Sequence, residues 1–160
     1  MRMRFLFLVG LMLTSPQLLA QDMPLGCIGQ AAREYGLPPK LLHSLYLTER
    51  GKLGKRVFNT SNGTYDLGPF QINTRWLGVL APYGIDANLL TNNPMVNARA
   101  AAWRLRSEII LAKNNVWRGV GNYRSRTPKF HQEQVTRVVA HYNRLPDNIN
   151  YESSCYGSTV

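Results

Sequence analysis

The stretch 93–115, "NPMVNARAAAWRLRSEIILAKNN", constrains the fold of this chain most. In it Met95, Ala98, Ala102, Leu105, Ile109 and Ala112 recur at threes and fours, so a helix gathers them on one face. Arg99, Arg104, Arg106 and Lys113 fall elsewhere on that helix. A long helix with one apolar face must be covered, which predicts a central core helix inside a helical domain. Five shorter helical patterns supply the cover. "IGQAAREYG" is stopped by Gly36, and "LPPKLLHSLYLTER" carries Pro38 and Pro39 in its first turn. A short helix around "VWRGVGNY" and a last one, "KFHQEQVTRVVAHYNRL", follow the central segment, while "QINTRWLGVL" precedes it and ends at "APYG". Residues 50–69 hold four glycines and an Asn-Gly turn signal, the composition of a long loop or small hairpin. The expected fold class is mostly α, with a small β or irregular insertion after the second helix.

The N-terminus reads differently. "MRMR" is a basic leader, "FLFLVGLML" an apolar run and "TSPQLLA" a tail ending on a small residue, the pattern of a secretory signal peptide over residues 1–20. The run is too short to span a bilayer, and an uncleaved anchor is the alternative. Residues 21–160 then form one domain, and the exported chain is expected in the periplasm with no transmembrane segment. Loss of Arg2 and Arg4 takes the formal charge from +10 to +8. Such a field favours a polyanionic partner, and export argues against nucleic acid. Cys27 and Cys155, near opposite ends of this domain, most simply form one disulfide in an oxidising compartment. A lipid-modified Cys27 is the rival, but Pro24 does not suit that signal.

Glu49 is the chemically suggestive residue. Leu42, Leu45 and Tyr46 precede it by seven, four and three residues, so the carboxylate lies on the stripe that faces the core. Desolvation and the helix C-terminus both disfavour its charge, and a carboxyl kept protonated near neutral pH is what a general acid requires. The bland alternative is a frayed helix end pairing with Arg50, Lys52 or Arg56. Downstream, Gly68 allows a tight turn, Pro69 suits a helix start, and Gln71 offers a donor and an acceptor to a hydroxyl-rich ligand. In the bland alternative Gln71 is solvated and Tyr123 is a core tyrosine with a satisfied hydroxyl.

"TERG", followed by "NGTYDLGPFQIN" and a tryptophan, resembles the core of the lytic transglycosylases of the lysozyme-like superfamily. Glu49 matches the catalytic glutamate that ends a helix in that family. Gly68 to Gln71, "GPFQ", matches a Gly-Leu-Met-Gln element, with Pro69 and Phe70 substituted, and Tyr123 matches the tyrosine of an Ala-Tyr-Asn element. The resemblance spans roughly residues 27–145. It implies a lysozyme-like helical domain in which Glu49 is catalytic and Gly68, Phe70, Gln71 and Tyr123 line a saccharide groove, Tyr123 also orienting the glutamate or an N-acetyl group. The implied reaction cleaves the β-1,4 bond between N-acetylmuramic acid and N-acetylglucosamine in peptidoglycan, leaves a 1,6-anhydro sugar and needs no cofactor. Arg50 stands where the family usually has Ser, and Arg124 replaces the Asn after the tyrosine. These departures resemble the specialised transglycosylases of conjugation, type IV secretion or pilus machines, whose components would be partners beside the glycan strands. The alternatives are a lysozyme-type muramidase and a non-catalytic wall-binding assembly factor.

Asp66 is the second carboxylate to weigh, since most glycoside hydrolases use two, but its setting after an Asn-Gly turn favours a loop-capping role. His43, His131 and His141 lack metal-ligand spacing, so no metal is implied. Trp76, Trp103 and Trp117 can stack on sugars, with Trp103 better read as core. "RSRTPK" reads as a solvated loop that stands beside Tyr123, within reach of anionic stem peptides.

Overall fold

The computed structural model describes residues 22–156, so the signal peptide expected over 1–20 lies outside the described residues. Among the described residues seven α-helices run α1 Leu25–Glu34, α2 Pro39–Glu49, α3 Leu77–Leu80, α4 Ala87–Asn92, α5 Pro94–Leu111, α6 Val116–Arg124 and α7 Pro128–Arg144. Between α2 and α3 lies an antiparallel sheet of β1 Arg56–Asn59, β2 Thr64–Leu67 and β3 Ile72–Asn73, in that spatial order. The fold is mostly α with a small β insertion after the helix that carries Glu49. Among the described residues no helix is long and apolar enough to cross a membrane.

Helix α5 is the centre. It buries Met95, Ala98, Ala102, Leu105 and Ile109 and packs against α1, α4 and α6. Helix α7 lies across α2 and α6. Arg104, expected off the apolar face, is buried nonetheless: α6 covers that side of α5, and the guanidinium donates to the backbone carbonyl of Tyr123. Helices end where the sequence changes character. Gly36 and Gly84 both take left-handed backbone after α1 and after the "APY" turn. Helix α4, absent from the periodicity reading, is started by Asp86, whose carboxylate accepts from the Leu89 N–H.

Residues 71–73 differ from the helical expectation. Gln71 has φ 51°, which no helix accommodates, and Ile72 pairs with Leu67 while Asn73 pairs with Asp66. The sheet therefore claims these residues, and helical backbone begins only at Thr74, where Asn73 accepts from the Arg75 N–H.

The C-terminal segment crosses α1. A Cβ on Gly26 or Gly29 would overlap the carbonyl of Ser153 or Tyr151, so this close approach requires glycine on that face. Tyr151 also bonds His43 Nδ1 at 3.0 Å. The expected disulfide is present: Cys27 joins Cys155 across 128 residues, with Cα atoms 4.3 Å apart.

Candidate active site

The sequence delivers Glu49 by helix phase. Leu42, Leu45 and Tyr46 are buried on one face of α2, and Glu49 follows on that face as the last helical residue. Arg50 stops the helix in left-handed conformation at φ 57°, its N–H donating to the Tyr46 carbonyl at 3.0 Å. Gly51 then donates its N–H to the Pro69 carbonyl at 3.1 Å. A Cβ there would overlap the Gly68 carbonyl oxygen and the Gln71 amide, so only glycine lets the exit of α2 lie against the 68–71 turn.

That turn is rigidly held. Gly68 sits at φ 64°, where a Cβ would also strike the Leu90 carbonyl and the Asn97 amide. Asn97, fully buried on α5, donates to the carbonyls of Leu67 at 3.0 Å and Leu90 at 2.7 Å and accepts from the Phe70 N–H at 2.9 Å. Every polar valence of that amide but one is used, which a buried side chain needs. Gln71 folds back, its Nε2 donating to the Gly68 carbonyl at 2.8 Å.

A cavity of about 390 Å³ opens in front of these elements, lined among others by Glu49, Asp66, Gln71, Tyr123, Arg104 and Arg137. Glu49 is half-buried at its back wall, and Gln134 of α7 donates to its Oε1 at 2.7 Å. Desolvation raises the Glu49 pKa to about 7, against the lowering effects of the Gln134 hydrogen bond and of Arg104 and Arg124; Asp66 raises it further. The carboxyl is thus poised to give a proton and to take one back near neutral pH. Asp66 on β2 accepts from Asn73 Nδ2 at 2.8 Å, a side-chain amide and not the loop backbone amides its turn-like setting suggested.

Tyr123 reaches the same cavity but serves the turn behind it. Its hydroxyl donates to the Phe70 carbonyl at 3.1 Å, and the Glu49 carboxylate takes its hydrogen bond from Gln134, so the tyrosine does not orient the glutamate directly. Burial pushes its pKa up. The Arg104 guanidinium lies 4.1 Å from the Tyr123 ring centroid and 5.0 Å from that of Trp76. Trp103 packs against the core, edge-on to Trp76, as its core reading anticipated.

Glu49, Gln71 and Tyr123 therefore converge on one cavity, while Gly68 and Phe70 stand behind it. Phe70 is a correction to the expected groove lining: its ring is fully buried, 5.8 Å from that of Tyr46, and it meets the site only through its backbone. Arg124 lines the cavity and Arg50 does not. Cys27 and Cys155 lie apart, in α1 and the C-terminal segment. Sequence reasoning missed Gln134, Asn97 and Arg104. Gln134 and Asn97 carried a signal, a primary amide in helical phase with buried Val138 or Ala101. Among the described residues no three His, Cys, Asp or Glu side chains are grouped to hold a metal ion. Compared with protein-family models and with curated proteins, the chain matches none.

Proposed function

We propose that this chain is a peptidoglycan lytic transglycosylase, cleaving the β-1,4 bond between N-acetylmuramic acid and N-acetylglucosamine. The observation that carries this reading is Glu49: a carboxyl with a pKa near 7, in a cavity shared with Gln71 and Tyr123, at the end of a helix whose exit loop is fixed by Gly51. Protonated Glu49 gives its proton to the glycosidic oxygen as the bond to C1 breaks. The resulting carboxylate, stabilised by the Gln134 amide, takes the proton of the C6 hydroxyl as that oxygen closes on C1 of the same muramyl residue. The product is a 1,6-anhydro ring, Glu49 ends protonated as it began, and no water is consumed. An attacking hydroxyl held on the reacting ring has a high effective concentration, which suits a site with one well-placed acid.

A hydrolytic muramidase on the same site is the second reading, favoured by one observation, that Asp66 lines the cavity with Glu49. Mass spectrometry of muropeptides released from purified peptidoglycan separates the two: anhydro ends support the transglycosylase, hydrated reducing ends the muramidase, and no release overturns both. Export to the periplasm, in keeping with the disulfide, and service to a conjugation, secretion or pilus machine, suggested by Arg50 and Arg124, are narrower parts of the proposal.

A further inference from the structure

Two further arginine-lined cavities share lining residues with the Glu49 cavity. The first, about 480 Å³, is lined by Arg75, Arg104, Arg124 and Arg126 with Trp76 and a single acid, Glu108, which Arg126 engages at 3.0 Å. Arg75, Arg104 and Arg124 line this cavity and the Glu49 cavity alike. The second, about 320 Å³, is lined by Arg50, Arg137, His141 and Arg144 and by no acid, and it shares Arg137 with the Glu49 cavity. Among the described residues Arg50, Arg75, Arg104, Arg137 and Arg144 are ion-paired with no carboxylate. Arg104 is more than nine-tenths buried, and its Nε–H has no acceptor. Burial first, and then the neighbouring Arg144 and Arg50 guanidinium groups, push the His141 pKa down.

A groove for bare sugar has no need of this. Hydroxyls and acetamides are met by amides such as Gln71, whereas buried or clustered guanidinium groups are satisfied by carboxylates, which they bind in a planar, often bidentate fashion. In peptidoglycan the carboxylates reside on the peptides attached to the lactyl groups of muramyl residues, and successive muramyl residues lie on both sides of a cleaved bond. We propose that the two arginine-lined cavities adjoining the Glu49 cavity are carboxylate subsites for the stem peptides, so that the enzyme selects peptide-bearing glycan over denuded glycan. The inference rests on the glycan occupying the Glu49 cavity.

The test compares wild type with Arg126→Gln and Arg144→Gln, each altering a solvent-accessible residue that lines one adjoining cavity and not the Glu49 cavity. Substrates are glycan strands that keep their peptides and the same strands stripped by an amidase. Wild type is expected to cleave the peptide-bearing strands with kcat/KM roughly tenfold higher, the scale of one charged hydrogen bond. Each variant should lose most of that preference through KM, with kcat/KM on stripped strands unchanged. Equal wild-type kcat/KM on both substrates, or variants that weaken both equally, overturns the subsites while leaving the glycosidase reading standing. Absence of cleavage of either substrate refutes the glycosidase reading itself, and the subsites fall with it.

Discussion

Gln134 Nε2 donates to Glu49 Oε1 at 2.7 Å, a contact between residues 85 apart that joins the end of α2 to the middle of α7. The amide is buried, so its donor has little competition from water. It favours the carboxylate form of a glutamate that desolvation otherwise holds protonated, and these opposed effects leave Glu49 near neutrality.

Replacing Gln134 by Leu removes the largest of the effects that lower the Glu49 pKa. The alkaline limb of the kcat/KM profile, set by loss of the Glu49 proton, should move to higher pH, while the maximal rate falls because the carboxylate that must act as base is less stabilised. A pH–rate series on soluble peptidoglycan fragments measures both. An unmoved alkaline limb would separate Gln134 from the titration of the acid.

Glu49→Gln should lower cleavage by at least ~100-fold, the low end of what a general acid–base group contributes. It should also stabilise the fold at alkaline pH. The folded state keeps a proton that the unfolded chain releases near pH 4.5, so wild-type stability falls as pH rises from 4.5 through about 7. The difference corresponds to roughly 3 kcal/mol above pH 7. Melting temperatures of the two proteins should converge near pH 4 and separate at pH 8, the variant melting higher.

Asp66→Asn tests the one-acid mechanism. Asp66 raises the Glu49 pKa, so neutralising it should shift the alkaline limb of activity to lower pH. Release of anhydro products should persist within about tenfold at the new optimum, less than the ~100-fold expected for a general acid or base. A loss as deep as that of Glu49→Gln would make Asp66 a catalytic partner and favour the hydrolytic reading.

Asn97→Ala should destabilise the protein strongly although the residue touches no part of the cavity. It leaves the Leu67 and Leu90 carbonyls and the Phe70 N–H without this partner, at about 1–3 kcal/mol for each buried group left unsatisfied. Chemical denaturation measures the loss. Since the same amide holds the turn that carries Gln71, KM should rise at temperatures where the variant is still folded.

Reduction of the Cys27–Cys155 disulfide should lower stability by a few kcal/mol, since the chain-entropy estimate for a loop of ~100 residues is about 4.7 kcal/mol. Intact mass should rise by two hydrogens. Hydrogen exchange should report the first opening where the C-terminal segment crosses Gly26 and Gly29 of α1.

What the sequence determined by itself is local and periodic. The spacing of Met95, Ala98, Ala102, Leu105 and Ile109 specified α5 and the face it buries, Pro38 and Pro39 mark the start of α2, and the phase of Leu42, Leu45 and Tyr46 was enough to turn Glu49 inward. The Asn62-Gly63 turn announced the hairpin. These signals survive in one dimension because each depends on neighbours within a turn or two of backbone. The tertiary structure decided what depends on distant partners. Gln71 leaves helical backbone because Ile72 pairs with Leu67, and Phe70 turns its ring to Tyr46 because Asn97 of α5 holds its amide. Arg104 is buried because α6 covers it and the Tyr123 carbonyl accepts its hydrogen bond, and Glu49 is tuned by an amide 85 residues away. Desolvation and hydrogen bonding are properties of the assembled neighbourhood, so the residue types could suggest an acid, and only packing could set its proton affinity.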